Sequence, residues 1–261
     1  MLSLVVGAPV SWQTAPMSTI RGARERARSE VTAAIKDEAR RQLAADGAAK
    51  LSLRAVAREL GMVSSALYRY FPSRDDLLTA LIVDAYDAVG ATAEAARATP
   101  RGSSGPHPAR WTVVTCAVRD WALAHPHEYG LIYGSPVPGY TAPQDTVGPA
   151  SRVGLVLLGL ARDAYLTDGL AAPPLAPELR PEAERMTADL APDLPPAVVA
   201  ALVAAWAQLF GLISFEVFGQ FTRVVEERDP FFRRASRELA RSVGLLDGRT
   251  AGTGSTGRAM S

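Results

Sequence analysis

The chain has 261 residues, and its 28 lysines and arginines almost equal its 27 aspartates and glutamates. This length allows two domains or one large one, and a net charge of +1 excludes a chain that is basic or acidic throughout. The single cysteine, Cys116, excludes an intrachain disulfide and suits a reducing compartment, so we expect a cytoplasmic protein.

The first 18 residues contain no pattern of a helix or strand. Their short apolar run has no basic residue ahead of it, which makes a poor signal peptide. We interpret residues 1–18 as a disordered leader or a misassigned start, with Met17 as the natural first residue. The alternative is a structured extension ordered against the body of the protein.

A long amphipathic helix is predicted from Thr19 to Ala45. Arginines and glutamates cover one side, and apolar residues fall on the other. These apolar residues are Ile20, Ala27, Val31, Ile35, Ala39 and Leu43. We expect this helix to end at Gly47 and to brace the helices that follow.

Two short helices joined by a glycine are predicted between Leu51 and Arg74. Ser52 can cap the first, and Gly61 breaks it. The second begins near Ser64 and buries Leu67 and Phe71, which are four residues apart. Its remaining residues, Ser64, Ser65, Ala66, Tyr68, Arg69 and Tyr70, lie at its start and on its outer face. This pattern is typical of a helix-turn-helix, although the spacing alone fits an unrelated corner between two helices equally well.

The same stretch resembles the TetR family of repressors. The family's signature is matched by Ala57, Leu60 and Gly61, then by Leu67, Tyr68 and Phe71, and finally by basic Arg74. Tyr70 replaces a frequent histidine, and Arg74 replaces the usual lysine. Both changes keep a hydrogen-bond donor, so they affect the expected operator sequence rather than DNA binding itself.

The resemblance implies a set of DNA contacts. Arg54 and the residues from Ser64 to Ala66 should approach base edges, and Tyr68 should touch a phosphate or a thymine methyl group. Lys50 and Arg74 should hold phosphates. The full predicted set is Lys50, Ser52, Arg54, Ser64, Ser65, Ala66, Tyr68, Arg69, Tyr70 and Arg74. Residues 17 to 74 hold 12 basic and six acidic side chains, a local excess of 12 − 6 = +6, which suits a surface that faces phosphates.

A long fourth helix is predicted after Pro72. Ser73 and Asp76 can form its capping box, and its apolar residues continue to about Thr99. The segment from Pro100 to Pro108 is predicted to be a loop. We divide the chain into a DNA-binding domain over 19–72, a helical regulatory and dimerisation domain over 73–246, and a disordered tail over 247–261.

The next segment resembles the second domain of the TetR branch named for its Trp, His and Gly motif. Helices are predicted from Trp111 to His125 and from Pro126 to Tyr133, followed by an irregular stretch. The likeness rests on Trp121, His125, Pro126, Tyr129, Gly134, Pro136, Pro138, Gly139, Tyr140 and Pro143. His125, His127 and Glu128 suggest a metal site, but residues two apart at a helix start do not share a face, so we favour a helix corner. We expect no metal and no cofactor.

Further helices are predicted over 146–166, 178–190, 197–221 and 229–243. The helix from Ala197 to Phe221 is apolar almost all round, and this length also fits a membrane span. Its polar residues Gln208, Ser214 and Glu216 argue against a membrane. We expect it to be buried between its own domain's core and a second copy of the chain.

The sequence therefore predicts an all-α protein of nine or ten helices. The resemblance implies a dimer in which the last two helices of each copy form a four-helix bundle about a two-fold axis. The expected interface residues are Trp206, Phe210, Ile213, Val217, Phe221, Phe231 and Leu239. We also expect a cavity for an unknown apolar or aromatic effector. Its expected lining residues are Tyr86, Trp111, Tyr133, Tyr165, Trp206 and Phe210.

The function that the resemblance implies is a repressor that binds duplex DNA, and we expect the effector to release it. No triad spacing, phosphate loop or paired carboxylates indicate a catalytic site. Two alternatives remain open, an architectural or protein-binding helical module and an enzyme with a helix-turn-helix scaffold.

Overall fold

The computed structural model describes residues 17 to 247, with side chains from residue 22 onward. The predicted leader and tail lie almost wholly outside this range, as does the side chain of Ile20. Within it the chain is all-α, with eleven helices. These are α1 (Met17–Asp46), α2 (Leu53–Glu59), α3 (Ser64–Leu67), α4 (Arg74–Ala98), α5 (Pro100–Ser103), α6 (His107–Ala124), α7 (Pro126–Tyr133), α8 (Val147–Tyr165), α9 (Arg180–Leu190), α10 (Pro196–Val217) and α11 (Arg228–Val243).

The first core joins α1, α2, α3 and the first half of α4. Ile35, Ala39 and Leu43 of α1 are buried in it, as their spacing predicts. Ala27 is exposed, however, so its predicted place on the packing face is wrong. Residues 23 to 30 in the first half of α1 are all exposed, so the packing face of α1 begins only near Val31.

The helix-turn-helix forms from local signals. The Ser52 hydroxyl oxygen accepts a hydrogen bond from the Ala55 backbone N–H at 3.4 Å and caps α2. Gly61 has a φ of 63°, a conformation that costs other residues energy, and it turns the chain into α3. Leu67 and Phe71 are buried as predicted, so α3 is anchored from one side while its other side faces solvent.

Helix α4 belongs to both cores. The Ser73 hydroxyl oxygen accepts from the Asp76 backbone N–H at 3.1 Å, which caps the helix at the predicted residue. Leu77 to Ile82 pack into the first core, whereas Ala85 to Ala96 pack into the second. A shift of α4 therefore moves residues of both cores.

The second core is formed by α4, α6, α7, α8, α10 and α11, with Trp111, Tyr129, Leu209 and Phe232 among its fully buried large side chains. The predicted loop after Thr99 contains α5, because the Thr99 hydroxyl caps a turn that begins at Pro100.

The end of α10 differs from prediction. α10 ends at Val217 rather than Phe221, and Gly219, with a φ of 82°, lies in the turn that follows. In α11, Phe232 enters the core and its neighbour Phe231 stays exposed, because neighbouring residues on a helix point about 100° apart.

The segment formed by α7 and the residues up to Tyr140 contacts both cores. Leu131, Val137 and Tyr140 pack against the first core, and Tyr133 packs against the second. The Tyr140 hydroxyl lies 2.9 Å from that of Thr79 on α4. This segment is therefore placed to transmit movement between the two cores.

Ion pairs strengthen the same junction. Asp84 of α4 binds Lys36 at 2.7 Å and Arg40 at 2.6 Å, both on α1. Arg40 also lies 3.3 Å from Glu128 of α7. His125 forms a corner here, with Nδ1 2.9 Å from the Trp121 carbonyl oxygen, as the helix-corner interpretation expects.

Candidate DNA-binding surface and ligand cavity

The exposed side of the helix-turn-helix brings two separate segments together. Ser52 and Arg54 at the start of α2 line the same shallow cleft as Tyr68 and Arg74. Arg54 and Tyr68 are exposed, and nothing else in the described chain covers them. The cleft thus presents a cation and a phenol side by side.

The outward face of α3 adjoins this cleft. Ser64 and Ser65 are exposed, Ala66 is half-buried, and Arg69 is exposed in the turn that follows. Small hydroxyl groups at the start of a helix let the backbone approach a groove and still offer hydrogen bonds to base edges. Lys50 is exposed just before α2.

Arg74 has a different environment from the one a phosphate contact requires. Its Nη2 donates to the Ala48 carbonyl oxygen at 2.8 Å, and its Nε donates to the Leu51 carbonyl oxygen at 3.2 Å. These bonds tie the start of α4 to the turn before α2. The guanidinium therefore supports the surface formed by α2 and α3, and at least two of its N–H donors are used within the protein.

We expect Arg74→Ala to lower the free energy of unfolding by about 1–2 kcal/mol, because two carbonyl oxygens lose a charged donor. Urea unfolding of the purified protein measures this. Lys50→Ala is the matched control, since Lys50 is exposed, and it should leave unfolding unchanged. If Arg74→Ala unfolds like the wild type and loses only DNA affinity, the phosphate role is correct.

Two side chains beside this surface lie outside the predicted set. Val63, directly before α3, is 70 % exposed. Arg28 of α1 lies against Tyr70, with its guanidinium carbon 5.2 Å from the ring centre. The isolated valine before Ser64 was visible in the sequence, whereas the approach of Arg28 depends on tertiary packing.

A cavity of about 680 Å³ lies between α4, α7 and α8 and opens toward α10. Its lining has no charged side chain. The lining residues are Ile82, Tyr86, Leu131, Ile132, Tyr133, Gly134, Ser135, Pro136, Val137, Tyr140, Ala142, Thr146, Val147, Ala150, Ser151 and Trp206. Such a mixture of apolar groups and a few hydroxyls suits a neutral, mainly apolar molecule.

Three of the six predicted ligand residues, Tyr86, Tyr133 and Trp206, line this cavity. Phe210 stands behind it, with its ring 4.1 Å from that of Tyr133. Trp111 and Tyr165 are not among the lining residues. Trp111 is fully buried in the core, and Tyr165 is 46 % exposed at the end of α8.

The phenols of Tyr86 and Tyr133 at the cavity are uncharged at neutral pH, because their pKa values are raised. Burial raises the pKa of Tyr133 and of Tyr86, and in each case a neighbouring tyrosine raises it further. Burial likewise raises the pKa of Tyr129, next to Tyr133, to about 12. The cavity therefore offers neutral hydroxyl donors and aromatic faces.

The outer face of α10 and α11 carries aromatic residues that the subunit leaves uncovered. Phe215 and Phe231 on this face are 53 % and 42 % exposed, whereas Phe218, which follows α10, lies against Tyr129 of α7 with ring centres 5.9 Å apart. Phe221 joins the first two, with ring centres 5.7 Å from Phe215 and 5.6 Å from Phe231. By contrast, Phe210, Ile213 and Leu239 are buried in the subunit's own core, so they cannot form the exposed part of an interface as predicted.

α10 is also long and apolar enough to cross a membrane when judged by length and composition alone. Only 39 % of its most apolar window is buried within the subunit. Its remaining apolar surface therefore needs another cover.

This fold and surface define a helix-turn-helix regulator with a separate helical domain. Comparison with known families agrees. Residues 35–81 match the model described as "Bacterial regulatory proteins, tetR family", and residues 111–239 match "Tetracyclin repressor-like, C-terminal domain". The chain therefore belongs to the TetR family of DNA-binding transcriptional regulators, whose members are not enzymes.

Individual relatives support this assignment. The chain is 43 % identical to "HTH-type transcriptional regulator Rv1816" of Mycobacterium tuberculosis and to "HTH-type transcriptional regulator Mb1846" of Mycobacterium bovis, over 77 % of this chain and 86 % of each relative. Among solved structures, the putative regulatory protein SCO4313 is 32 % identical, with a TM-score of 0.68 over 82 % of this chain and 97 % of that chain. A protein from Rhodococcus sp. RHA1 shares the fold at 21 % identity, with a TM-score of 0.63 over 82 % of this chain and 95 % of that one.

Proposed function

We propose that the protein is a cytoplasmic repressor that binds a near-palindromic operator as a homodimer and leaves it when a small, mainly apolar molecule enters the cavity. The observation that carries the DNA half of this proposal is the exposed face of α3 beside the Arg54 and Tyr68 cleft. Two such faces related by a two-fold axis would meet successive major grooves about 34–36 Å apart, or somewhat more.

Arg54 is the side chain proposed to read a base. It is exposed at the start of α2, in the cleft that also holds Tyr68. We expect Arg54→Ala to weaken operator binding by about 1–3 kcal/mol and to relax preference at one base pair. Mobility shifts with operator and random duplexes, repeated at rising salt, measure this. An equal loss on both duplexes would assign Arg54 to a phosphate instead.

The proposed dimer uses the outer face of α10 and α11. Phe231 and Phe221 of the predicted set have exposed and half-buried side chains there, and Phe215 extends the same face. Trp206 lies nine residues before Phe215 on α10 and therefore points to the opposite side of the helix, toward the cavity. A second copy of the chain covers this face if each copy presents it to the other, which a two-fold interface requires. Phe215→Glu should shift the protein to monomers in analytical ultracentrifugation, whereas exposed Leu155→Glu on α8 should not.

The proposed effector is neutral and apolar or aromatic, because the cavity has neutral phenols and no charged lining residue. Its action needs a coupling of only about 1–3 kcal/mol between the cavity and the DNA-binding surface. The path is short: Tyr86 and Tyr140 line the cavity, and Tyr140 also bonds Thr79 of α4.

A panel of metabolites and drugs tests the effector. Binding at Trp206 should change the intrinsic fluorescence, and the same molecules should weaken operator binding. A Trp206→Phe variant should lose most of the fluorescence change. If no molecule alters operator affinity, the proposal of an effector is wrong, whereas the proposal of DNA binding is unaffected. That result would favour the alternative of an architectural module without a small-molecule ligand.

A further inference from the structure

A basic stripe lies on the first half of α1. Counting back from buried Ile35 in steps of four and three residues gives Val31, Arg28 and Arg24 on one helix face. Val31 is half-buried, and both arginines are exposed. The face that packs on the first core therefore becomes cationic where α1 extends past that core.

Arg28 fixes where this stripe lies. Its Nη2 is 3.4 Å from the Arg69 carbonyl oxygen, and its guanidinium lies over the Tyr70 ring. Arg69 and Tyr70 lie in the turn after α3, on the surface proposed to face DNA. The stripe thus starts at the DNA-facing surface.

Arg24 lies one helical turn beyond Arg28, a distance of about 6 Å at 1.5 Å per residue. The residues from 23 to 30 are all exposed, so no described element lies between this part of α1 and a duplex. Arg26 and Glu30 point to the opposite side of the helix, since each residue turns about 100°. The positive charges of Arg24 and Arg28 therefore lie on one side of the helix, and the opposite side carries one positive and one negative side chain.

We propose that Arg24 and Arg28 bind the DNA phosphate backbone just outside the major groove that α3 enters. This inference rests on the proposed function. A guanidinium pairs two N–H donors with phosphate oxygens, so exposed arginines beside a reading surface suit this ligand. In a two-fold dimer the stripe lengthens the contacted DNA at both outer ends and contributes equally to every sequence.

The test compares Arg24→Ala with Arg26→Ala, a matched control from the same turn of α1 and the opposite face. Each phosphate contact contributes about 0.9 to the slope of log binding constant against log salt. Two subunits should therefore make the Arg24→Ala slope less steep by about 1.8. Affinity for operator and for unrelated duplexes should fall by the same factor, and hydroxyl-radical protection should shorten at both ends.

Arg26→Ala should keep the wild-type slope and footprint, and both variants should unfold like the wild type because the residues are exposed. If Arg24→Ala and Arg26→Ala behave alike on DNA that the wild type binds, the stripe is overturned and the proposed function stands. A wild type that shows no affinity for duplex DNA would overturn both.

Discussion

Glu216→Ala should lower the free energy of unfolding by about 3–5 kcal/mol, because it leaves the Arg119 charge buried without its main partner. Two hydrogen bonds join these side chains, Nε to Oε2 at 2.6 Å and Nη2 to Oε1 at 2.7 Å. The side chains of Arg119 and Glu216 are only 7 % and 4 % exposed. Donation of hydrogen bonds to Glu216 raises the pKa of Arg119. The arginine keeps its charge even without this partner, because a guanidinium is not deprotonated in proteins at neutral pH.

The expected loss extends to assembly, because this pair ties α6 to the helices of the proposed interface. Arg119 also binds Asp229 at the start of α11 at 3.0 Å. Chemical denaturation and sedimentation would measure stability and oligomeric state together. The double variant Arg119→Met with Glu216→Leu should recover most of the loss, since an apolar pair needs no charge compensation. Arg234→Ala, which removes an exposed pair on α11, is the control and should unfold like the wild type.

Leu67→Ala should destabilise the first core by about 2–5 kcal/mol and abolish operator binding. α3 has only four residues, and Leu67 is the only one of them that is buried. Without this anchor the helix cannot hold its outer face against the rest of the core. Hydrogen exchange should rise in α1 to α3, while the second core and the dimer remain protected.

Ser65→Ala provides the matched control on the same helix. Ser65 is exposed, so this variant should keep the wild-type hydrogen-exchange pattern. Its affinity for the operator should fall only if the Ser65 hydroxyl contacts DNA. Retained operator affinity in Leu67→Ala would show that α3 is not the reading helix.

Elements with a local signal were predictable from the sequence. Ser52 and Ser73 cap helices as their spacing indicates, and Pro126 begins α7 as expected. Leu67 and Phe71 are buried because a helix that must pack on one side leaves few choices for its apolar residues.

The features that depend on distant contacts were not predictable in this way. Arg74 could extend to solvent or fold back, and only the position of the Ala48 and Leu51 carbonyl groups decides between them. The adjacent Phe231 and Phe232 are chemically identical, so small differences in helix phase determine which is buried. Trp111 and Tyr133 are both aromatic residues of the helical domain, yet only Tyr133 lines the cavity. The cavity forms where α7 packs against α4, and the sequence does not show this contact.

The central claim is that two identical subunits present α3 to neighbouring major grooves. Selection of bound duplexes from a random library, followed by base-by-base substitution of the winner, tests it most directly. The account predicts an inverted repeat whose half-site centres lie about 10–10.5 base pairs apart, or somewhat more, with sensitivity lost at one base pair per half-site in Arg54→Ala. Recovery of a single half-site, or of unrelated sequences bound only through phosphates, would contradict it.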